Sequence, residues 1–438
     1  MITSRRIAHF LITLLALILT AAFAFQQLTT PVFVPGKNYP IDPTKPSIII
    51  THISGNFGGI ESHVFELYKL LVKHGYPVTA LLIGRYEGFT QKLNAEGLSY
   101  YTIPNVFTFS RYCRSLCYFL AEKSLQTICT ERNAKIIQAN NYSDAIPASR
   151  VAQHLGIKAV FTHHEPSAST NNAAKPKYSI KGLDAVICVS PVPLNDYAIA
   201  RNTLKQSTNI TRFIPPLFRM NTCESFKPIT ANRIQYFKDN FGISLNNDPV
   251  VTMVANFYAD PLHKNHGLLI DAINILIHQK KIPVQVMLAG GAATAGCKHR
   301  FLDMQQRVHN YKLDKNIHFL GFVENAPEIM HHSNIVVLSS AREGLPLVLM
   351  EAGLLGRPVI GASDTGTAII IDHEKTGLIF KNNDVNDLAL QLERLIQDPV
   401  WAQQLGRNGR EHVLQKFHPA RSFEQYEEVY AQLMRSNS

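Results

Sequence analysis

The chain of 438 residues is too long for one hydrophobic core and suits two domains. With 46% hydrophobic and 17% charged residues it has an ordinary globular composition, once an apolar excess at the N-terminus is set aside. A net charge of +10 favours anionic partners such as nucleotide diphosphates or anionic lipid headgroups, and a solvated basic surface explains it equally well. With no Lys/Arg run and no DNA- or RNA-binding motif, nucleic acid is not an expected partner.

Residues 7–25, IAHFLITLLALILTAAFAF, follow Arg5 and Arg6 and are about long enough to cross a bilayer. One reading is a signal anchor over residues 1–25 that holds the protein at a membrane. The other is a cleaved signal peptide, because Ala22-Phe23-Ala24 has the small-x-small pattern. The length of the run favours the anchor, and the flanking charges leave the side of the membrane open. Residues 26–46, with Pro31, Pro35, Pro40, Pro43 and Pro46, read as an extended tether.

From residue 47 short β-branched runs alternate with helical patterns, which predicts parallel sheets flanked by helices. Strands are predicted near SIIITH, PVTALLI, AKIIQAN, KAVFTHH, DAVICVS and ITRFI, with the clearest helix in IESHVFELYKLLVKHG ending on Gly75. A first doubly wound domain spans residues 47–216. A loosely patterned linker follows over 217–247, interrupted by one helical piece, ANRIQYFKDNFG. The alternation restarts over 248–405 with strands at VVTMVANF, PVQVMLAG, NIHFLGF, NIVVLSS, PVIGAS and GLIF, and residues 406–438 read as a helical tail. The expected fold class is α/β, two Rossmann-like domains facing a cleft, behind an N-terminal hydrophobic helix. Ligands of open parallel sheets bind beyond the carboxyl ends of the strands, so the chemistry is expected in that cleft.

The cysteines outline no disulfide framework. Cys113 and Cys117 are spaced for one helix face without a second cluster to complete a zinc site, and Cys188 in DAVICVS is expected as a small buried hydrophobe. A reducing compartment is mildly favoured on that count.

In IVVLSSAREGLPLVLMEAGLLG a buried strand ends near Ser339, a loop follows, and a helix begins near Pro346, where proline is tolerated. The amides of Gly344, Leu345 and Leu347 then face the cleft at the positive end of a helix, a setting for a phosphate. Glu343 lies in the loop and Glu351 on the flank of the helix. Two carboxylates so placed could hold two hydroxyl-rich parts of one ligand.

This segment resembles the retaining glycosyltransferases of the GT-B fold, in particular glycosyltransferase family 4, which carry a Glu-x7-Glu motif in the same strand–loop–helix. The likeness covers residues 47–436 or so and includes Asn334, Pro346, Ala352, Gly356, Pro358, Val359, Thr376 and Gly377. It implies that Glu343 contacts the donor sugar and Glu351 the ribose hydroxyls of a nucleotide-sugar. It implies a diphosphate-binding Lys at Lys264, while the usual Arg is replaced by Asn256, with His263 or His266 as candidate substitutes. It implies that Gly58 and Gly59, in HISGNFGGIESH, form a glycine loop over the donor phosphates, and that His164, beside His163 and Glu165, reaches the transferred sugar. Strand alternation turns His163 and His164 to opposite faces. Asn140 stands where many relatives have His. In TGTAIIIDHEKTG, Gly366 is kept while Thr365, Ala368 and Ile369 replace the family's Gly, Pro and Glu.

The resemblance implies transfer from a nucleotide-sugar donor to a saccharide or lipid-linked acceptor with retention of configuration. No Asp-x-Asp occurs in a strand-end loop, so no metal and no other cofactor is expected. Two other classes stay open: a catalytically silent GT-B protein that binds a nucleotide-sugar or glycan, favoured by Asn256 and Ile369, and a nucleotide-sugar epimerase, which fits the Glu-x7-Glu context less well.

Overall fold

A computed structural model describes residues 30–52, 58–83, 87–103, 114–164, 182–191, 210–220, 233–292 and 294–435. The hydrophobic run 7–25, Gly55, Cys113, Glu165 and Cys223 lie outside the described residues, as does the side chain of Cys117. Among the described residues no helix is long and apolar enough to cross a membrane.

The first sheet contains β1 (Val32–Val34), β2 (Ile48–His52), β3 (Val78–Ile83), β4 (Tyr100–Ile103), β5 (Ile136–Ala139), β6 (Lys158–His163), β7 (Ala185–Cys188) and β8 (Ile210–Phe213). Its helices are α1 (Gly59–Lys73), α2 (Glu87–Glu96), α3 (Arg114–Glu131) and α4 (Tyr142–Leu155). Spatial order is β1-β4-β3-β2-β5-β6-β7-β8, parallel throughout except for the antiparallel β1. Strands such as Ile48-Ile49-Ile50 are buried on both faces, which is why they read as continuous apolar runs rather than alternating ones. Gly75 has φ +80°, the left-handed turn that ends α1 after its cap at His74.

The second half opens with α5 (Arg233–Phe241), then β9 (Val250–Val254), α6 (Pro261–Lys264) and α7 (His266–Asn274), which runs on into one π-helical turn, Ile275–Gln279. There follow β10 (Gln285–Ala289), α8 (Ala295–Asn310), β11 (Ile317–Gly321), α9 (Ala326–His331), β12 (Ile335–Leu338) and α10 (Leu347–Leu354). The chain finishes with β13 (Val359–Ala362), α11 (Thr367–Ile370), β14 (Leu378–Phe380), α12 (Val385–Gln397), α13 (Pro399–Lys416) and α14 (Pro419–Arg435). The order β11-β10-β9-β12-β13-β14 is fully parallel. Both sheets are therefore doubly wound, and strand order reverses between β2 and β5 in one and between β9 and β12 in the other. A crevice opens at such a reversal because successive crossovers leave on opposite faces.

Three segments differ from the sequence reading. The proline-rich stretch expected as a tether is docked over residues 30–46. β1 pairs with β4, the Phe33 and Tyr101 rings meet at a tilt with centroids 4.9 Å apart, and Lys45 bonds Glu427 at 3.1 Å. The helical piece expected within the linker is present as α5, but it is docked: Phe237 packs with Val250 and Met287 of the second sheet and with Ile329 of α9. The tail expected from residue 406 is divided: α13 runs unbroken through that point and buries Leu405 and Val413 in the second core, while α14 buries Phe423, Tyr426, Val429, Tyr430 and Leu433 in the first. The polypeptide thus crosses between domains twice, at Leu217–Phe218 and after Phe417. Cys188 is buried in the core of the first domain, as DAVICVS suggests.

Candidate active site

The two reversal points face each other, and the residues expected to hold a donor lie around them. After β9 the chain turns through Asp260, whose carboxylate accepts the Leu262 amide at 3.0 Å and so caps the short helix α6. Lys264 closes α6, and its Nζ reaches Glu343 Oε1 at 2.6 Å. Glu343 follows β12, across the reversal, and both side chains are largely buried, at 19% and 10% exposure. A charge-assisted bond this short between groups partly withdrawn from water holds the loops after β9 and β12 in register. Arg342, next in line, pairs with Asp260, adding a second ion pair across the same crevice.

α10 begins at Leu347 with Pro346 as its N-cap, one residue later than its sequence suggests. On the facing domain Gly58 is the N-cap of α1. A Cβ built on Gly59 would sit 3.8 Å from Leu347 Cδ1, so the amino ends of α1 and α10 converge from opposite domains. A helix amino end offers amides without partners inside the helix and a partial positive charge, which suits an anion between the two.

Gly366 serves this loop rather than presenting its own amide. Its N–H donates to the Glu343 carbonyl at 3.0 Å, and a Cβ there would lie 1.3 Å from the Gly344 carbonyl oxygen. Thr365, in place of the family's glycine, donates to the Ala362 carbonyl at 3.0 Å and meets Thr367 at 2.8 Å. Ile369 packs against the second core, leaving an apolar side chain where relatives have Glu.

Asn256, at the position of the missing arginine, brings no charge and is partly engaged by the scaffold. Its Oδ1 accepts the Gly291 amide at 2.9 Å, tying the ends of β9 and β10 together. His266 is no substitute either: it is buried, stacked on Phe257 at 4.0 Å, bonded to the Ala255 carbonyl, and burial pulls its pKa down to about 3. His263 packs at a tilt against Tyr258, and burial, with Lys264 close by, lowers its pKa as well. Lys264, paired with Glu343 at the crevice, remains the candidate for meeting diphosphate charge from this side.

Glu351 lies one turn into α10 on its half-buried flank. Burial raises its pKa to about 7, while Arg219 and Lys92 pull it down and Glu66 pushes it up. These three neighbours come from the first crossing and the first domain, and they line a cavity of about 1180 Å³. Between the ordinary value of 4.5 and about 7 the folded state holds the extra proton, so stability falls as pH rises through that window. Replacing Glu351 with Gln is expected to flatten this decline. Melting temperatures of both proteins at about pH 5 and about pH 8 check it, and equal slopes would defeat it.

His163 and His164 do turn apart. His163 is held by the Tyr142 hydroxyl at 2.7 Å, on the side of α4. His164 lies edge-on to His63 of α1, centroids 4.8 Å apart, and its buried Nε2 has no hydrogen-bond partner among the described residues. Burial and the neighbouring histidines hold it well below the ordinary imidazole range, so it is neutral. Asn140 donates to the Thr51 carbonyl at 3.1 Å and is sealed under the sheet end, which makes it a scaffold residue.

Sequence reasoning did not single out His52, Glu61 and His63. His63 Nδ1 accepts the Leu217 amide at 2.8 Å and its Nε2 meets the Tyr426 hydroxyl at 3.1 Å, so one side chain of α1 ties the first crossing to α14. The signal was present as Gly-Gly-x-Glu, a glutamate three residues after a helix N-cap.

The sequence matches Glycosyltransferase Family 4 over residues 57–198 and Glycosyl transferases group 1 over residues 238–412. The chain belongs to these GT-B glycosyltransferases. Among curated members of the family, it is similar to N-acetyl-alpha-D-glucosaminyl L-malate synthase of Bacillus anthracis, 31% identical over 31% of this chain and 36% of that protein. Over that match the chain spans about a third of the relative's length. It is also similar to the phosphatidylinositol N-acetylglucosaminyltransferase gpi3 subunit of Schizosaccharomyces pombe, 22% identical over 87% of this chain and 79% of that one. The fold is that of Anabaena HepE in complex with UDP-glucose, with a TM-score of 0.74 at 19% identity over 88% of this chain and 100% of that one.

Proposed function

We propose that this glycosyltransferase moves a sugar from a nucleotide-sugar to a saccharide or lipid-linked acceptor, with retention of configuration and without a metal. The observation that carries the reading is the Lys264–Glu343 pair at the reversal point of the second sheet, under the converging amino ends of α1 and α10. The diphosphate lies between those helix ends and Lys264, and Glu343 faces the sugar. In the reaction the bond from the anomeric carbon to the phosphate oxygen breaks, and a bond from that carbon to the acceptor oxygen forms. The acceptor proton passes to the departing phosphate, whose growing negative charge Lys264 and the helix amides stabilise. Closure of the two domains keeps water from the donor. Retained as a signal anchor rather than cleaved as a signal peptide, the apolar run 7–25 would hold the enzyme at a membrane, within reach of a lipid-linked acceptor.

The names of two relatives contain N-acetylglucosamine, and the solved neighbour holds UDP-glucose. UDP-N-acetylglucosamine and UDP-glucose are therefore the first donors to test, beside GDP- and ADP-sugars. A donor is expected to raise the melting temperature, and turnover with it should give a product of unchanged anomeric configuration. An inverted product would sink the retaining assignment. Because Asn256 is committed to Gly291, a protein that binds donor without turning it over is the second reading, and binding without hydrolysis or transfer would select it.

A further inference from the structure

The inference rests on that reading and concerns the reversal point of the first sheet, between β2 and β5, where a buried polar chain links three elements. His52 ends β2, Asn141 precedes α4, and Glu61 lies in the first turn of α1. Asn141 Nδ2 is 3.2 Å from His52 Nδ1 and donates to it, which leaves the His52 proton on Nε2. That Nε2–H donates to Glu61 Oε1 at 3.1 Å. Glu61 Oε2 accepts the Gly58 amide at 2.9 Å. His52 and Glu61 are 0% and 5% exposed, so these bonds are shielded from competing water.

The geometry has a direction. One carboxylate oxygen fixes the backbone of the glycine pair that meets Leu347 across the cleft, and the other is fixed by the sheet. Tyr258 of the second domain feels the Glu61 charge, which places this carboxylate beside the cleft. We propose that Glu61 is a positioning residue, its carboxylate bridging His52 to the Gly58 amide so that Gly58 and Gly59 stand preorganised against the donor phosphates.

The conservative variant separates position from charge. In Glu61→Gln the amide oxygen can still accept from Gly58 while its NH2 donates to His52. His52 then carries its proton on Nδ1, and Asn141 turns its carbonyl to accept it. The chain of bonds re-forms with reversed polarity and no charge. Glu61→Ala re-forms nothing. Expected for Glu61→Ala is a fall in kcat of roughly 10²-fold, the scale of a misplaced reacting group. UDP affinity should change by less than about 3-fold, because Lys264 and α10 remain. Glu61→Gln should restore kcat to within about 5-fold of wild type on the same scale. A Gln variant as slow as Ala would overturn the proposal, since the charge itself would then be required. An Ala variant with wild-type kcat would overturn it too, leaving a helix cap. Hydrogen exchange of the peptide over residues 58–62, faster in Ala and unchanged in Gln, reports the same link without turnover. If wild type itself binds donor and never reacts, the transfer reading fails while the exchange result still decides the role of Glu61.

Discussion

Replacing Lys264 with Met is expected to lower kcat/KM for transfer by about 10²–10³-fold, the size of losing one preorganised charge stabiliser at a leaving group. The Nζ of this residue lies 2.6 Å from Glu343, and the site around it has lost the second cation that relatives place at Asn256. Glu343→Gln is expected to lose as much, because the carboxylate holds Lys264 and, in the proposed reaction, faces the sugar. The single variants also leave one partner of a largely buried pair alone, which costs stability. The double variant Lys264→Met with Glu343→Gln removes both charges and should recover the melting temperature while staying inactive. Steady-state kinetics and thermal melts on the four proteins separate these effects. Retention of kcat/KM within about 3-fold in Lys264→Met would defeat the assignment.

Deleting α14 is expected to unfold the first domain and spare the second. Phe423, Tyr426, Val429, Tyr430 and Leu433 fill the first core, and Tyr430 donates to the buried Gln138 at 2.9 Å. At roughly 1.5–3 kcal/mol for each large apolar side chain buried, the helix contributes on the order of 10 kcal/mol as an upper figure. That matches the whole stability of a typical domain, about 5–15 kcal/mol. Hydrogen exchange on protein ending at His418 should show β2, β5 and α1 unprotected and β9, β12 and α10 still protected. Protection of the first sheet without α14 would contradict this.

Much of the architecture was legible because parallel strands buried on both faces leave continuous β-branched runs between Gly and Pro breaks. All twelve strands expected from residue 47 onward are present, including GLIF as Leu378–Phe380. The two strands that escaped notice, β1 and β4, sit at the sheet edge, where three- and four-residue pieces are stabilised by pairing with each other more than by any pattern of their own. At the site, Glu343, Lys264 and the glycine pair were readable because their residue types sit where strands give way to helices. The roles of Asn256, His266 and Gly366 were not, because a polar side chain or amide can bond ligand or scaffold with the same atoms. Only the positions of Gly291, Ala255 and the Glu343 carbonyl show which scaffold atoms they bond.

The sequence by itself determined the two doubly wound sheets, the family and the residues at the ends of β9 and β12, because each follows from local pattern and short spacing. The tertiary structure alone decided which distant residues meet. Lys264 and Glu343 are 79 positions apart, and His63 and Tyr426 are 363 apart. It also decided that the last helix belongs to the first core, because burial of an amphipathic face is settled by whichever surface is apolar and within reach, and nothing in the helix itself names that surface.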